Sequence, residues 1–264
     1  MKIVDFKNFL KLNESLDSDL IGKIDYTLLS PTATEEDIIE LCKKADVLGV
    51  KSVCVLPKMV KVAAEQLQNS NVLVCTVVSF PHGTDTTQQK LAETKKVIAD
   101  GADEVDMVLN YPLLKTIAKE EEDDFDEYFE SIRGELINDV QILVDECHSK
   151  TNKDGDEIIL KVIVESGLLD ENEVEQSTDI CLEAGANFIK TSTGMVAVGA
   201  ELNKVQIMRR IIEEQDSDMK IKASGGIRTM SDLQKFASLV DRFGVGFASV
   251  DSIFGGIKST GSEY

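Results

Sequence analysis

The sequence predicts an α/β protein, a single (β/α)8 TIM barrel carrying a short N-terminal helical extension. Three observations support this. The chain has 264 residues, 42% of them hydrophobic, which suits a barrel of about 250 residues built as one unit. Four stretches, ADVLGVKSVCVLP, VIADGADEVDMVLN, CLEAGANFIKTSTG and VDRFGVGFASVDS, repeat one local design. In each, a helical pattern stops at a Gly (Gly49, Gly101, Gly185, Gly244) and a short apolar run follows. Gly suits the left-handed position that ends a helix, and the run reads as a strand covered on both faces. Third, the segments between these repeats supply the remaining strands, so helix and strand alternate along the chain as parallel βαβ units require.

In chain order, IGKIDYTLL reads as the first strand, VLVCTVVSF as the third, EIILKVIVES as the fifth and MKIKASGG as the seventh. TEEDIIELCKKADVL reads as a helix whose N-terminus Thr34 can cap. KEEEDDFDEYFE reads as the solvated first turn of a long helix, and TNKDGDE as a loop before the fifth strand. Composition shows no break, so residues 1–264 are taken as one domain, with an extension over about 1–20 and a tail over about 258–264.

The 48 acidic residues outnumber the 28 basic ones, for a net charge of −20. That field repels phosphate backbones and argues against a nucleic-acid partner. Any phosphate site would need local donors that override it. Five cysteines (Cys42, Cys54, Cys75, Cys147, Cys181) lack a C-x-x-C pair, which fits reduced thiols. No segment approaches a membrane span, and the start has no sustained apolar region, so a soluble cytoplasmic protein is expected.

Five residues beyond each of the four glycines stand Cys54, Asp106, Lys190 and Ser249. In a parallel barrel that offset falls near the C-terminal strand ends, so Asp106 and Lys190 are expected to face one cavity. Lys161, Lys190 and Lys222 interrupt otherwise apolar strands, where an unpaired ammonium is costly. Clustered cations disfavour one another's charged forms and can leave a free amine able to attack a carbonyl. Taking a lysine from about 10.4 to about 7 corresponds to roughly 4–5 kcal/mol. Imine chemistry also needs proton transfer, for which Asp106 (EVDMV) and Asp25 (KIDYTLL) are suitable carboxylates. In ASGGIRT, Gly225 and Gly226 let backbone N–H groups approach an anion, with a helix beginning near Thr229. TSTG adds the Thr191 hydroxyl and Gly194. His82 and His148 have no ligand spacing, which disfavours a histidine-built zinc site. His82 is read as orienting a loop and His148 as exposed.

With these motifs on the page, the sequence resembles the deoxyribose-phosphate aldolase family from about Asp25 to Ser249. GANFIKTSTG is similar to the Schiff-base strand, which places the nucleophile on Lys190. GADEVDMVLN resembles the strand of the proton-relay aspartate, Asp106, and KIKASGGIRT the strand of the second, pKa-lowering lysine, Lys222. KIDYTLL matches the stretch whose Asp25 and Thr27 line the pocket; SFPHG and KSVCVLP also match. The resemblance implies cofactor-free, metal-independent cleavage of 2-deoxy-D-ribose 5-phosphate to acetaldehyde and D-glyceraldehyde 3-phosphate, in a homodimer. Cys54, Lys161, Thr191, Gly194, Gly225, Gly226 and Ser249 would join Thr27 in binding substrate. Some members carry a tail Tyr that assists proton transfer, which makes Tyr264 a candidate.

Departures gather at the phosphate end. Met195 stands where many members have a Lys after STG, and FASV replaces a Gly-x-Ser-Ser stretch, so Phe247 and Val250 stand for a Gly and a Ser. The expectation is a relaxed phosphate preference and a pocket narrowed by Phe247. Two other readings of the lysine strands stay open: an imine-forming barrel aldolase with another acceptor, and a non-catalytic binding barrel.

Overall fold

The structure is a computed structural model that describes residues 18–117 and 125–255. Eight parallel strands close into a barrel in sequence order: β1 (Ile24–Leu28), β2 (Ser52–Val55), β3 (Leu73–Val78), β4 (Glu104–Val108), β5 (Ile159–Ile163), β6 (Phe188–Lys190), β7 (Lys220–Ser224) and β8 (Arg242–Gly246). This is the expected (β/α)8 TIM barrel. A four-residue helix, Ser18–Ile21, precedes β1; residues 1–17, the tail with Tyr264 and most of the acidic run lie outside the described residues.

Local signals set the helix ends. Thr34 accepts from the Asp37 N–H while Asp37 returns a bond to the Thr34 N–H, so the helix Glu35–Leu48 starts at a capping box. It stops at Gly49, whose φ of 70° is left-handed. Gly101 (φ 105°) and Gly185 (φ 75°) end their helices in the same conformational region. Gly244 is the exception. It lies within β8, and Ser249 accordingly sits on the following helix, Phe247–Gly255, not on a strand. The four repeats look alike in sequence, but the helix before β8 ends at Phe236, eight residues ahead of Gly244.

Side chains alternate across the barrel wall. Ile24, Tyr26, Val53, Val105, Leu160, Ile189, Ile221 and Phe243 belong to one apolar core with the helical residues Ile38, Leu41, Val140, Val174 and Met208. The helices are held there by burial, at roughly 25 cal/mol per Å² of apolar surface. The residues between them point inward, and the register stacks them in tiers. Ser52, Glu104, Phe188 and Arg242 form the lowest tier, and Asp25, Cys75, Lys161 and Lys222 the next. Cys54, Asp106, Lys190 and Gly244 come above them, towards the C-terminal strand ends. Barrel interiors are normally filled by branched apolar residues. This one is largely ionic.

Candidate active site

Asp106 is the hub of the interior. Lys190 Nζ and Lys222 Nζ each lie 2.7 Å from Asp106 Oδ2, and Lys161 Nζ lies 2.8 Å from Oδ1. Cys75 donates to Oδ1 at 3.2 Å. The network continues downward. Lys222 Nζ is 2.5 Å from Asp25 Oδ2, and Lys161 Nζ 2.7 Å from Glu104 Oε2. Arg242 Nη1 pairs with Asp25 Oδ1 at 2.6 Å and Glu104 Oε2 at 3.1 Å, while Ser52 donates to Asp25 Oδ1 at 2.8 Å. Four cations therefore face three carboxylates, all nearly free of solvent. Lys222 and Lys161 have no solvent exposure, whereas Lys190 retains 3% and makes one ion pair among the described residues.

Each of the three lysines is thus paired with a carboxylate as well as set among the other cations. Burial opposes the charge on Lys222, but Asp106 and Asp25 outweigh it and raise its pKa above the ordinary value; Lys161 is raised likewise by Asp106 and its neighbours. Burial also opposes ionisation of Asp106, yet Lys161, Lys190 and Lys222 together hold its carboxyl well below the usual carboxylate range. Arg242, Lys222 and Lys161 do the same for Asp25, and Lys161 and Arg242 for Glu104. A buried charge that neither pairs nor titrates is not tolerated, so each cation comes with its anion.

The sequence reading missed Glu104, Arg242, Ser52 and Cys75. A signal for Glu104 existed: it stands two residues before Asp106, so the period of a strand puts both on one face. The reach of Arg242 across the barrel to Glu104 had no sequence signal.

Other expected residues fall as follows. Thr27 is half-buried on β1, where its hydroxyl donates to the Asp25 carbonyl at 3.0 Å. Cys54 is its register partner on β2. Thr191 Oγ1 donates to the Ser224 carbonyl at 3.1 Å and accepts from the Ser224 N–H at 3.0 Å, stitching the end of β6 to β7. Gly225 (φ 79°) and Gly226 (φ 77°) turn the chain after β7. A Cβ at Gly225 would stand 2.9 Å from Gly199 Cα and 3.7 Å from Gly194 Cα, so these glycines permit a tight meeting of two loops. Among the described residues Ser224 Oγ is buried without a hydrogen-bond partner. The helix Met230–Phe236 begins where expected, but the Asp232 carboxylate already accepts from the Arg228 and Thr229 N–H groups at its start. Ser249 is buried, and Met195 is 37% exposed.

Two expectations are corrected. The Phe247 ring stacks on Tyr26 at 5.4 Å with Lys44 Nζ 4.6 Å above it, so it packs on the outer barrel face and does not narrow the interior. His148 is half-buried and bonded to Asn187 Oδ1 at 3.0 Å. His82 is exposed, in a loop where Gly83 passes close to the Leu109 carbonyl. Potential metal ligands do approach one another, as Cys54, Cys75 and Asp106 and as Asp25, Cys75 and Glu104. The four cations around them oppose a metal ion there.

A closed parallel barrel with ionisable side chains gathered near its C-terminal strand ends has the architecture of a β/α-barrel enzyme. The chain belongs to the DeoC/LacD family of aldolases, whose profile it matches over residues 20–244. It is 43% identical to the deoxyribose-phosphate aldolase of Mycoplasmoides pirum over 207 residues, 78% of this chain and 84% of that one. It is 40% identical to the enzyme of the same name from Shouchella clausii, over 81% of this chain and 85% of that one. Among solved structures it superposes on the tetrameric deoxyribose phosphate aldolase of Aeropyrum pernix with a TM-score of 0.75. That pair is 26% identical and covers 97% of this chain and 100% of the other. Among the described residues no helix is long and apolar enough to cross a membrane.

Proposed function

We propose that the protein reversibly cleaves 2-deoxy-D-ribose 5-phosphate into acetaldehyde and D-glyceraldehyde 3-phosphate through an imine on Lys190. The observation that carries this reading is the sharing of one Asp106 oxygen by Lys190 and Lys222, each at 2.7 Å. The amine form of Lys190 attacks the aldehyde carbon of the open-chain sugar. Loss of water from the carbinolamine leaves an iminium beside Asp106. Removal of the proton from the hydroxyl on carbon 3 breaks the bond between carbons 2 and 3. Glyceraldehyde 3-phosphate departs and the electron pair stays as an enamine on Lys190. In that state the Lys190 nitrogen is uncharged, so one of the three cations that hold the Asp106 carboxyl low is gone. Asp106 accepts a proton more readily there than in the resting site, which suits a relay. Lys222 and Asp25 keep the relay oriented. Protonation of the enamine carbon and hydrolysis release acetaldehyde, and Tyr264 is kept as a candidate for that protonation.

Thr27, Cys54, Lys161, Thr191 and Gly194 are proposed around the sugar, and Gly225, Gly226 and Ser249 around the phosphate. Asp232 already occupies N–H groups at the start of the Met230–Phe236 helix, and position 195 carries no cation. Both facts support a relaxed phosphate preference. Rates on deoxyribose with and without its 5-phosphate test it; a strong preference for the phosphorylated sugar refutes it. A homodimer is proposed, to be checked by light scattering in solution. A reducing cytoplasmic setting is supported by five free, buried cysteines.

Borohydride reduction with acetaldehyde, followed by peptide mapping, tests the central claim. The expected result is one reduced adduct on Lys190. An adduct only with a ketone donor favours the imine aldolase of different specificity, and no adduct at all favours a binding barrel.

A further inference from the structure

We propose that Cys54 and Cys75 form a peroxide-reactive dithiol site inside the barrel that closes into an intramolecular disulfide. They are register partners on β2 and β3 and point to the same side of the wall. Both are wholly buried, and their sulfurs lie within 4.8 Å of each other. Neighbouring strands run about 4.8 Å apart, within the Cα separation of roughly 4.4–6.8 Å that a disulfide spans.

The surroundings give each sulfur a distinct role. The Cys75 thiol beside it lowers the pKa of Cys54 despite its burial, so Cys54 is assigned as the attacking sulfur. Burial, the neighbouring Cys54 and the Asp106 carboxylate raise Cys75, which makes it the resolving thiol. Cys42 and Cys147 provide the contrast: burial pushes each up to about 12, which disfavours the thiolate.

In the first step Cys54 attacks one oxygen of hydrogen peroxide, the O–O bond breaks, and the departing hydroxide leaves as water after taking up a proton. Cys54 becomes a sulfenic acid. Cys75 then attacks that sulfur, the S–O bond breaks, and a second water leaves. The Cys75 proton has an acceptor in place, since the thiol already donates to Asp106 Oδ1 at 3.2 Å. Two thiols and one peroxide give one disulfide and two waters. Closure consumes the S–H that Cys75 donates to Asp106 Oδ1 and turns the sulfur 3.3 Å from Lys161 Nζ into a disulfide sulfur. The consequence for activity rests on the role proposed for Asp106; the bond itself does not.

The test uses the full chain. It is treated with hydrogen peroxide, its remaining thiols are blocked with N-ethylmaleimide, and it is digested and mapped without reductant. The expected product is a Cys54 peptide linked to a Cys75 peptide, lighter by two hydrogens. Retro-aldol activity should fall at least about tenfold, the scale of a lost charged hydrogen bond. Dithiothreitol should restore it and EDTA should not, and Cys75→Ser should abolish both the link and the reversible loss. Blocked thiols at both positions, or sulfinic acid on Cys54 with no link, overturns the proposal. Recovery with EDTA overturns it in favour of a bound metal. A quantitative link with full activity upholds the dithiol site and rejects the role given to Asp106, which separates the two readings.

Discussion

Replacing Asp106 by Asn removes the anion that three lysines share. The structure says where the damage falls. Lys222 keeps Asp25 at 2.5 Å and Lys161 keeps Glu104 at 2.7 Å, but Lys190 loses the one ion pair it makes among the described residues. Removing one partner of a buried pair costs about 3–5 kcal/mol, because the other charge is left uncompensated. Asp106→Asn should therefore lose about that much stability in urea unfolding at neutral pH. Most of the loss is the stranded ammonium at position 190, so adding Lys190→Met should restore at least about half, since apolar replacement of a whole buried pair is often neutral. The single variant should also cut retro-aldol turnover by about 10²–10⁴-fold, the usual contribution of a positioned proton-transfer group. A stability loss under about 1 kcal/mol, or a double variant weaker than Asp106→Asn alone, would refute the view of Asp106 as the compensating charge.

Three further outcomes follow from the same geometry. Asp25, Glu104 and Asp106 are all held below their ordinary carboxyl values. Their contribution to stability is thus complete above the unfolded pKa of about 4 and is lost as pH falls through the folded values. The urea midpoint should drop steeply below about pH 4, and a flat profile from pH 6 to pH 3 would contradict it. A Cβ at Gly244 would stand 2.9 Å from Ser224 Cβ and 3.5 Å from Lys222 Cε. Gly244→Ala should cost about 1–3 kcal/mol and reduce turnover, whereas Gly246→Ala, which meets nothing within 4 Å, should be mild in the same unfolding and rate assays. Phe247→Ala should lower stability by about 2 kcal/mol through lost packing on Tyr26 and leave KM unchanged; a clear KM shift would return Phe247 to the pocket.

The barrel was legible because its signals are local. Left-handed glycines after helices, Thr34 at its cap and short apolar strands each act within a few residues of chain, and they sit at the expected places. Gly244 misled because a Gly inside a strand looks like a Gly before one when the preceding helix is short. Phe247 misled for a related reason. The family pattern gives its position, but which side of the wall its ring packs on depends on Tyr26 and Lys44.

By itself, then, the sequence determined the alternation of helix and strand, the direction of the sheet, and the inward-facing Asp106, Lys190 and Lys222. These depend on periodicity and on the spacing of each residue from its own turn. Only the tertiary structure decided how the interior charges balance. Closing the barrel and staggering its strands brings Asp25 of β1 and Glu104 of β4 onto Arg242 of β8. It also sets Cys75 beside both Cys54 and Asp106. Electrostatic pairing acts over a few ångströms in space, and separations of up to 217 residues along the chain carry no trace of it.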